Sequence, residues 1–395
     1  VVDNHTSPVR TWLERLDDRE DDLKWLSPYE PELLEVLRRG LNFPAHYHDS
    51  IDLLSRIFPH FNERYARPDD WHGLLIDALI PAMDFRDARL KANVFRHIGE
   101  LVLKAGKVNA ASTMFRKSLE DAETGRHDTM MLSALIGLMK LQWFDLTRCV
   151  DERLIERARK LSDESGSEDL RIEFYGALAN LHFRQGYLSK ALEAGELALN
   201  LAQQSGDAAS AGRMALTVAG ICRQMYVVQR DRETLDQAYA YLDLAAEKLS
   251  ATEYGLQFTV LAYEQGVLDL QHEDYESAEE AFSEALAEAQ RLKIDMYVTV
   301  ARHGLGLAQA HSGKRAEARE NMLAALEAWR RQNNRYEEVS VLQALGYLEQ
   351  REGNRQQALE YLNQALTLCD QLEKVPQSEA MRQHIDDTIA EVYGS

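Results

Sequence analysis

Apolar and small residues recur along this chain with the spacing of a helix that buries one face. Ala278, Ala281, Phe282, Ala285, Leu286 and Ala289 follow the i, i+3, i+4, i+7 stripe, while Glu276, Glu279, Glu280, Glu284 and Glu288 fill the opposite side. Proline punctuates only the ends. All eight prolines lie at or before Pro81 or at Pro376, so Asp84 to Val375 is free of the residue that breaks helices. The pattern predicts an all-α protein with no strand alternation.

The helical stripe is itself repeated. Leu345-Gly346, Gly353, Ala358, Leu362 and Ala365 share their offsets with Leu305-Gly306, Gly313, Ala318, Met322 and Ala325. The same offsets return, less one glycine, in Gly266, Ala278, Phe282 and Ala285, and near the front in Ile98-Gly99, Gly106, Ala111, Phe115 and Ser118. The last small position falls at Ala78, Ser118, Ala158 and Ala198, each 40 apart, and then at Ala245, Ala285, Ala325 and Ala365. One step is 47, with most of the excess in the turn over 227–236. A fixed period of this length predicts helical hairpins stacked as a solenoid.

The Leu-Gly, turn-Gly, Ala, large apolar, Ala order resembles the tetratricopeptide repeat. That resemblance implies two antiparallel helices per unit, A and B, stacked as a right-handed superhelical solenoid. Glycine at 106, 186, 313 and 353 is expected in the A-to-B turn, with a left-handed backbone. The period exceeds the usual 34 residues, which requires longer helices or longer links, such as Gln203 to Asp207. The Trp, Tyr and trailing Pro of the short repeat are largely missing. The longer repeat is similar to the sensor arrays of MalT-like bacterial signal-transducing (STAND) ATPases. Expected boundaries are an N-terminal helical cap over 1–46, about eight hairpins over 47–373 and a capping helix over 374–395. The first two hairpins are degenerate, the second through Trp143, Phe144 and Asp151.

Charge narrows the partners. The formal net charge of −20 opposes phosphate backbones and anionic membranes, so neither nucleic acid nor membrane is expected as a partner. Cys149, Cys222 and Cys369 are odd in number and widely spaced, which fits a reducing, cytoplasmic setting. The opening Val1-Val2, without methionine, reads as a piece of a longer protein.

Candidate chemistry is sparse, and a catalytic site, a metal and a cofactor are all not expected. His311-Ser312-Gly313-Lys314 lacks the upstream glycine spacing of a phosphate loop, and Gly313 is the turn glycine. His46 and His48 diverge at i, i+2, leaving Asp49 as a helix cap.

The resemblance places ligands on the concave face, lined by A helices. Counted from each Leu-Gly mark, the inward set is Arg96, Glu100, Lys104, Lys140, Trp143, Asn180, Arg184, Gln224, Tyr263, His303 and Tyr347. The carboxylate clamp of chaperone-binding relatives does not match: Arg96 with Glu100, then Gly137, then Glu173 with Ala177 stand where its Lys, Asn and Arg belong. Function is therefore expected to be non-catalytic: a sensor array binding a peptide or protein segment, whether or not inside a larger signalling ATPase. The alternatives are a small-molecule or signalling-peptide receptor that closes its superhelix, and a self-assembling scaffold. Oligomeric state is left open.

Overall fold

A computed structural model describes the chain apart from residues 1–6, 19–22, 65–66, 85–86, 144–150, 251–254, 373–375 and 395. Among the described residues there is no strand. Within each unit the described helices stack as successive antiparallel pairs, the all-α solenoid arrangement that the repeat predicts. The chain divides into two compact units, 1–138 and 139–395. That division falls inside the repeat array and not at its expected ends.

Unit 1 begins with α1 (Pro8–Asp17), a 3-10 segment Leu23–Tyr29 and α2 (Glu30–Leu41), ahead of α3 (Tyr47–Arg64) and α4 (Pro68–Asp84). An aromatic core replaces the small-residue crossings here. The Phe61 and Trp71 rings stack at 4.9 Å and Phe58 meets Trp71 edge-on, while the Trp71 indole N–H donates to Glu30 Oε1 at 2.8 Å. That bond gives a buried indole the partner it needs. The first regular hairpin follows, α5 (Ala88–Lys104) with α6 (Val108–Gly125), and then α7 (Asp128–Lys140), which crosses into unit 2.

Unit 2 continues with α8 (Glu152–Glu164), then pairs α9 (Glu168–Arg184) with α10 (Leu188–Ser205), and α11 (Ala208–Gln229) with α12 (Arg232–Leu249). It goes on through α13 (Gly255–Gln271) and α14 (Tyr275–Leu292), then α15 (Asp295–His311) and α16 (Arg315–Gln332). It ends with α17 (Arg335–Arg351), α18 (Arg355–Cys369) and α19 (Pro376–Gly394).

The long period is taken up in the helices. A helices α9, α13, α15 and α17 have 17 residues and B helices α10, α12, α14 and α16 have 18. Links between hairpins shrink to two residues, Lys293-Ile294 or Asn333-Asn334. Gln203 to Ser205, expected in a link, belong to α10. The first link residue turns left-handed, at Arg126, Gly206, Lys293 and Asn333, and stops helix B. The second often caps helix A: Asp207 accepts from Ala209 N and Ser210 N, and Asn334 from Glu337 N. Asp151, anomalous in the repeat, caps α8 through Arg153 N at 2.9 Å. The extra residues near 227 lengthen α11 to 22 residues, leaving only Arg230 and Asp231 before α12.

The small-residue register has a steric cause that the contacts make explicit. All eight last-small positions are buried, from Ala78 to Ala365. Ser118, the exception in residue type, donates its hydroxyl to Ala92 O at 2.8 Å. The bulky B-helix residue sits between two A helices and needs a glycine on each. A Cβ at Gly99 or Gly137 would collide with the Phe115 ring, and one at Gly266 or Gly304 with the Phe282 ring. The turn glycines 106, 186, 313 and 353 have φ between 73° and 81°, as expected of a left-handed turn.

Candidate functional site

The inner wall of unit 2 follows from which helices touch. Each B helix packs on its own A helix and on the next A helix. Successive A helices also touch one another, α9 to α11, α11 to α13, α13 to α15 and α15 to α17. The side on which neighbours approach most closely is the inside of the curve, so the A helices line the concave wall.

Two ion pairs and two tyrosines come together on that wall. Arg223 of α11 donates through Nε to Glu264 Oε2 of α13 at 3.0 Å, one repeat further on. Arg184, in the last turn of α9, places Nη1 3.4 Å from Glu337 Oε1 in the first turn of α17. Its guanidinium carbon also lies 4.2 Å from the centre of the Tyr336 ring. These two groups are well enclosed, with side-chain exposures of 7% for Arg184 and 20% for Glu337. Tyr263 of α13 packs its ring 5.7 Å from Phe282. Burial first, then the nearby Glu264 and Glu337 carboxylates, push its hydroxyl well above the usual phenol range, so it stays a neutral donor.

Further along, His311 stacks on Tyr275 at 4.8 Å and lies 6.3 Å from Tyr347, whose hydroxyl accepts from Arg351 Nη1 at 3.0 Å. His303 of α15 has its Nε2 sealed from solvent although the residue as a whole is only half-buried. Desolvation drops the ring to a pKa of about 4, so it is neutral at pH 7.

The residues selected by sequence divide sharply. Arg184 and Tyr263 share the cluster above, and Asn180, Gln224 and His303 are half-buried, while Tyr347 is 38% exposed. Lys140 reaches Glu173 Oε2 at 3.4 Å. Trp143 has a side chain outside the described residues, as do Phe144 and Cys149 entirely.

In unit 1 the corresponding groups bond inward. Arg96 donates to Glu100 Oε1 at 2.7 Å, and Lys104 donates to the Asn62 carbonyl at 2.7 Å. His97 beside them is fully buried against Phe58. Desolvation first and Arg96 second lower its pKa to about 4. Glu100 opposes this weakly, because its Oε2 lies 3.7 Å from Nδ1, beyond hydrogen-bond reach.

Sequence reasoning missed Arg223, Glu264, Tyr336 and Glu337. The first pair carried a signal, since opposite charges 41 residues apart lie one repeat apart on facing A helices. The second pair is separated by 153 residues, and no local pattern announces it.

Other candidate groups find ordinary partners. Lys314 of the glycine-lysine segment donates to Glu279 Oε2 at 2.8 Å, and Asp49 accepts from Arg10 Nε at 2.8 Å. Among the described residues no three His, Cys, Asp or Glu side chains are grouped to hold a metal ion, and no helix is long and apolar enough to cross a membrane. The lengthened end of α11 brings Met225 beside Leu192, Glu193, Glu196 and Leu197 of α10, in a shallow groove on the B-helix side.

A tetratricopeptide-repeat family model matches residues 297–371. No curated protein matches the chain in sequence. Among solved structures, the chain is similar to a Rap protein complexed with competence and sporulation factor, at 13% identity. The likeness covers 87% of this chain and 99% of that one, with a TM-score of 0.56. It is also similar to a STAND protein with a tetratricopeptide repeat sensor from Pyrococcus horikoshii, at 13% identity, 85% and 52% coverage and a TM-score of 0.50. A third likeness is the human IFIT1 dimer with m7Gppp-AAAA, at 15% identity, 91% and 85% coverage and a TM-score of 0.50. Identities this low carry the fold and not the ligand. The chain is a tetratricopeptide-like repeat protein.

Proposed function

We propose that unit 2 is a non-catalytic sensor array that holds an extended peptide or protein segment along its A-helix wall. The observation that carries this reading is the wall's composition. Asn180, Gln224, Tyr263 and Tyr347 give half-buried or exposed amides and phenols on four different A helices of one face. Amides can serve the backbone of an extended guest, and tyrosine supplies large contact area at little entropic cost. A solenoid wall of this kind has no single deep pocket to enclose a compact substrate.

The Rap protein complex supports a peptide guest and the STAND likeness supports a sensor role. The IFIT1 complex holds m7Gppp-AAAA, so fold alone does not choose the guest. The choice here rests on charge. A chain of net charge −20 repels polyanions, and the wall's Arg184 and Arg223 already face Glu337 and Glu264.

A random 12-residue peptide library displayed against the immobilised chain tests the reading. Enriched peptides should bind the parent protein and lose at least tenfold in affinity when Asn180, Gln224 and Tyr347 are together changed to Ala. Repeated selection without enrichment, or binders indifferent to those three changes, would overturn it.

A further inference from the structure

The ion pair between α9 and α17 differs in kind from its neighbours. Arg223 with Glu264, and Arg319 with Glu349 and Glu352, join residues of adjacent repeats, where the helices already pack on each other. Arg184 with Glu337 joins A helices that have α11, α13 and α15 between them. Helix α17 packs on α15, α16, α18 and α19. It meets the end of α9 through the Arg184 guanidinium, the Tyr336 ring and the Glu337 carboxylate.

We infer that Arg184, Tyr336 and Glu337 form a latch that fixes how tightly unit 2 is wound. In a solenoid each repeat contacts only its neighbours, so the overall pitch is the sum of small rotations between repeats. Small changes at each of four junctions add up, and adjacent packing tolerates them with little loss of contact. A bond from the first A helix of the unit to the fifth constrains the sum directly.

Side-chain chemistry suits that task. The guanidinium is planar, always charged, and is held from one side by the Tyr336 ring and from another by the carboxylate. Enclosure of Arg184 limits screening by salt, so the latch persists at ionic strengths that dissolve exposed pairs. Tyr263 lies within the field of the same charges, Glu337 and Arg184 both acting on its neutral phenol. The latch therefore closes over the middle of the wall. It also sets a size limit: a guest wider than the latched wall has to part Arg184 from Glu337 first. The winding itself is a property of the free protein and does not depend on what the guest is.

The experiment measures the winding without any ligand. Nitroxides placed at Ser189→Cys and Arg331→Cys, in a Cys149→Ser background, report the distance between the α10 start and the α16 end by pulsed dipolar spectroscopy. The parent should give one narrow distribution. Arg184→Ala and Glu337→Ala should each broaden it and move its mean by several ångströms, with helicity by circular dichroism unchanged. The Arg184→Ala/Glu337→Ala double variant should move no further than either single change, because one bond is broken only once. Glu337→Gln, which keeps shape and packing, provides a milder version should either alanine variant fold poorly. A distribution unmoved by Arg184→Ala or Glu337→Gln would overturn the latch, and so would single shifts that add in the double. Neither result bears on peptide selection by Asn180, Gln224 and Tyr347, so the two readings fail separately.

Discussion

Units 1 and 2 share one repeat rule and use it for different ends. Phe115 lies between Gly99 and Gly137 in unit 1 just as Phe282 lies between Gly266 and Gly304 in unit 2. Around that common joint the chemistry diverges. Unit 1 adds an aromatic cluster of Phe58, Phe61 and Trp71, and ties Arg96 and Lys104 to Glu100 and the Asn62 carbonyl. Unit 2 has small-residue crossings and leaves amides, phenols and an exposed Tyr347 along its wall. The same inward positions therefore do structural work at one end, while Asn180, Gln224 and Tyr347 stay half-buried or exposed at the other. Register alone does not make a residue a ligand contact; what matters is whether the fold has already engaged it.

The largest test of the comparison is the shared joint. Phe115→Ala and Phe282→Ala should each destabilise by about 3–5 kcal/mol, since each empties a ring-sized volume that two glycines were shaped to receive. Denaturant titration followed by helicity, together with limited proteolysis, would separate the units. Phe115→Ala should expose cleavage sites below residue 138 first, and Phe282→Ala sites in the later repeats. Equal loss of both regions from either change would show that the division at 138 has no energetic meaning.

Acid sharpens the contrast next. His97 in unit 1 and His303 in unit 2 both have pKa values lowered to about 4 by burial. An unfolded histidine titrates near 6.5, so between pH 6.5 and 4 the unfolded chain binds the extra proton. Stability is then full above pH 6.5 and falls as the pH drops toward 4. For His97, fully enclosed, the loss at pH 5 should be about 2 kcal/mol. His303 keeps part of its ring surface open and should contribute less. Urea midpoints at pH 7.5 and pH 5 check this: His97→Gln should flatten the drop for unit 1, and His303→Gln should flatten it less for unit 2.

What the sequence made legible was local and periodic. The last-small positions from Ala78 to Ala365 were readable because close helix crossing admits only small side chains, and that constraint recurs every 40 residues. Turn glycines were readable because positive φ selects for them. The core of unit 1 was not, because Trp71 with Glu30 and the Phe58–Phe61 cluster follow no period. Among candidate wall residues, Tyr263 and Arg184 emerged from the register, yet the partner that gives Arg184 its meaning did not. Glu337 sits at the start of a helix rich in other glutamates, and its role depends on winding accumulated over four repeats. Such long-range geometry leaves no mark at helical spacing.

The smallest predicted effect concerns the α13–α14 hairpin, whose turn has no glycine. Where Gly106, Gly186, Gly313 and Gly353 take φ of 73° to 81°, this hairpin places Glu273 at φ 62°. A side chain with a Cβ in that region is strained by about 1 kcal/mol, and Glu273 N still bonds to Leu270 O to close the turn. Glu273→Gly relieves the strain but makes the unfolded chain more flexible, so the two effects partly cancel. A net gain of roughly 0.5 kcal/mol is expected, seen as a rise of about 1–2 °C in the melting temperature of the later repeats. The reverse change, Gly353→Glu, should lower it by a comparable or larger amount, because nothing nearby would meet the new side chain to compensate. A melting point that falls in Glu273→Gly would mean that the glutamate has a stabilising contact at this edge of unit 2, which the turn register alone does not reveal.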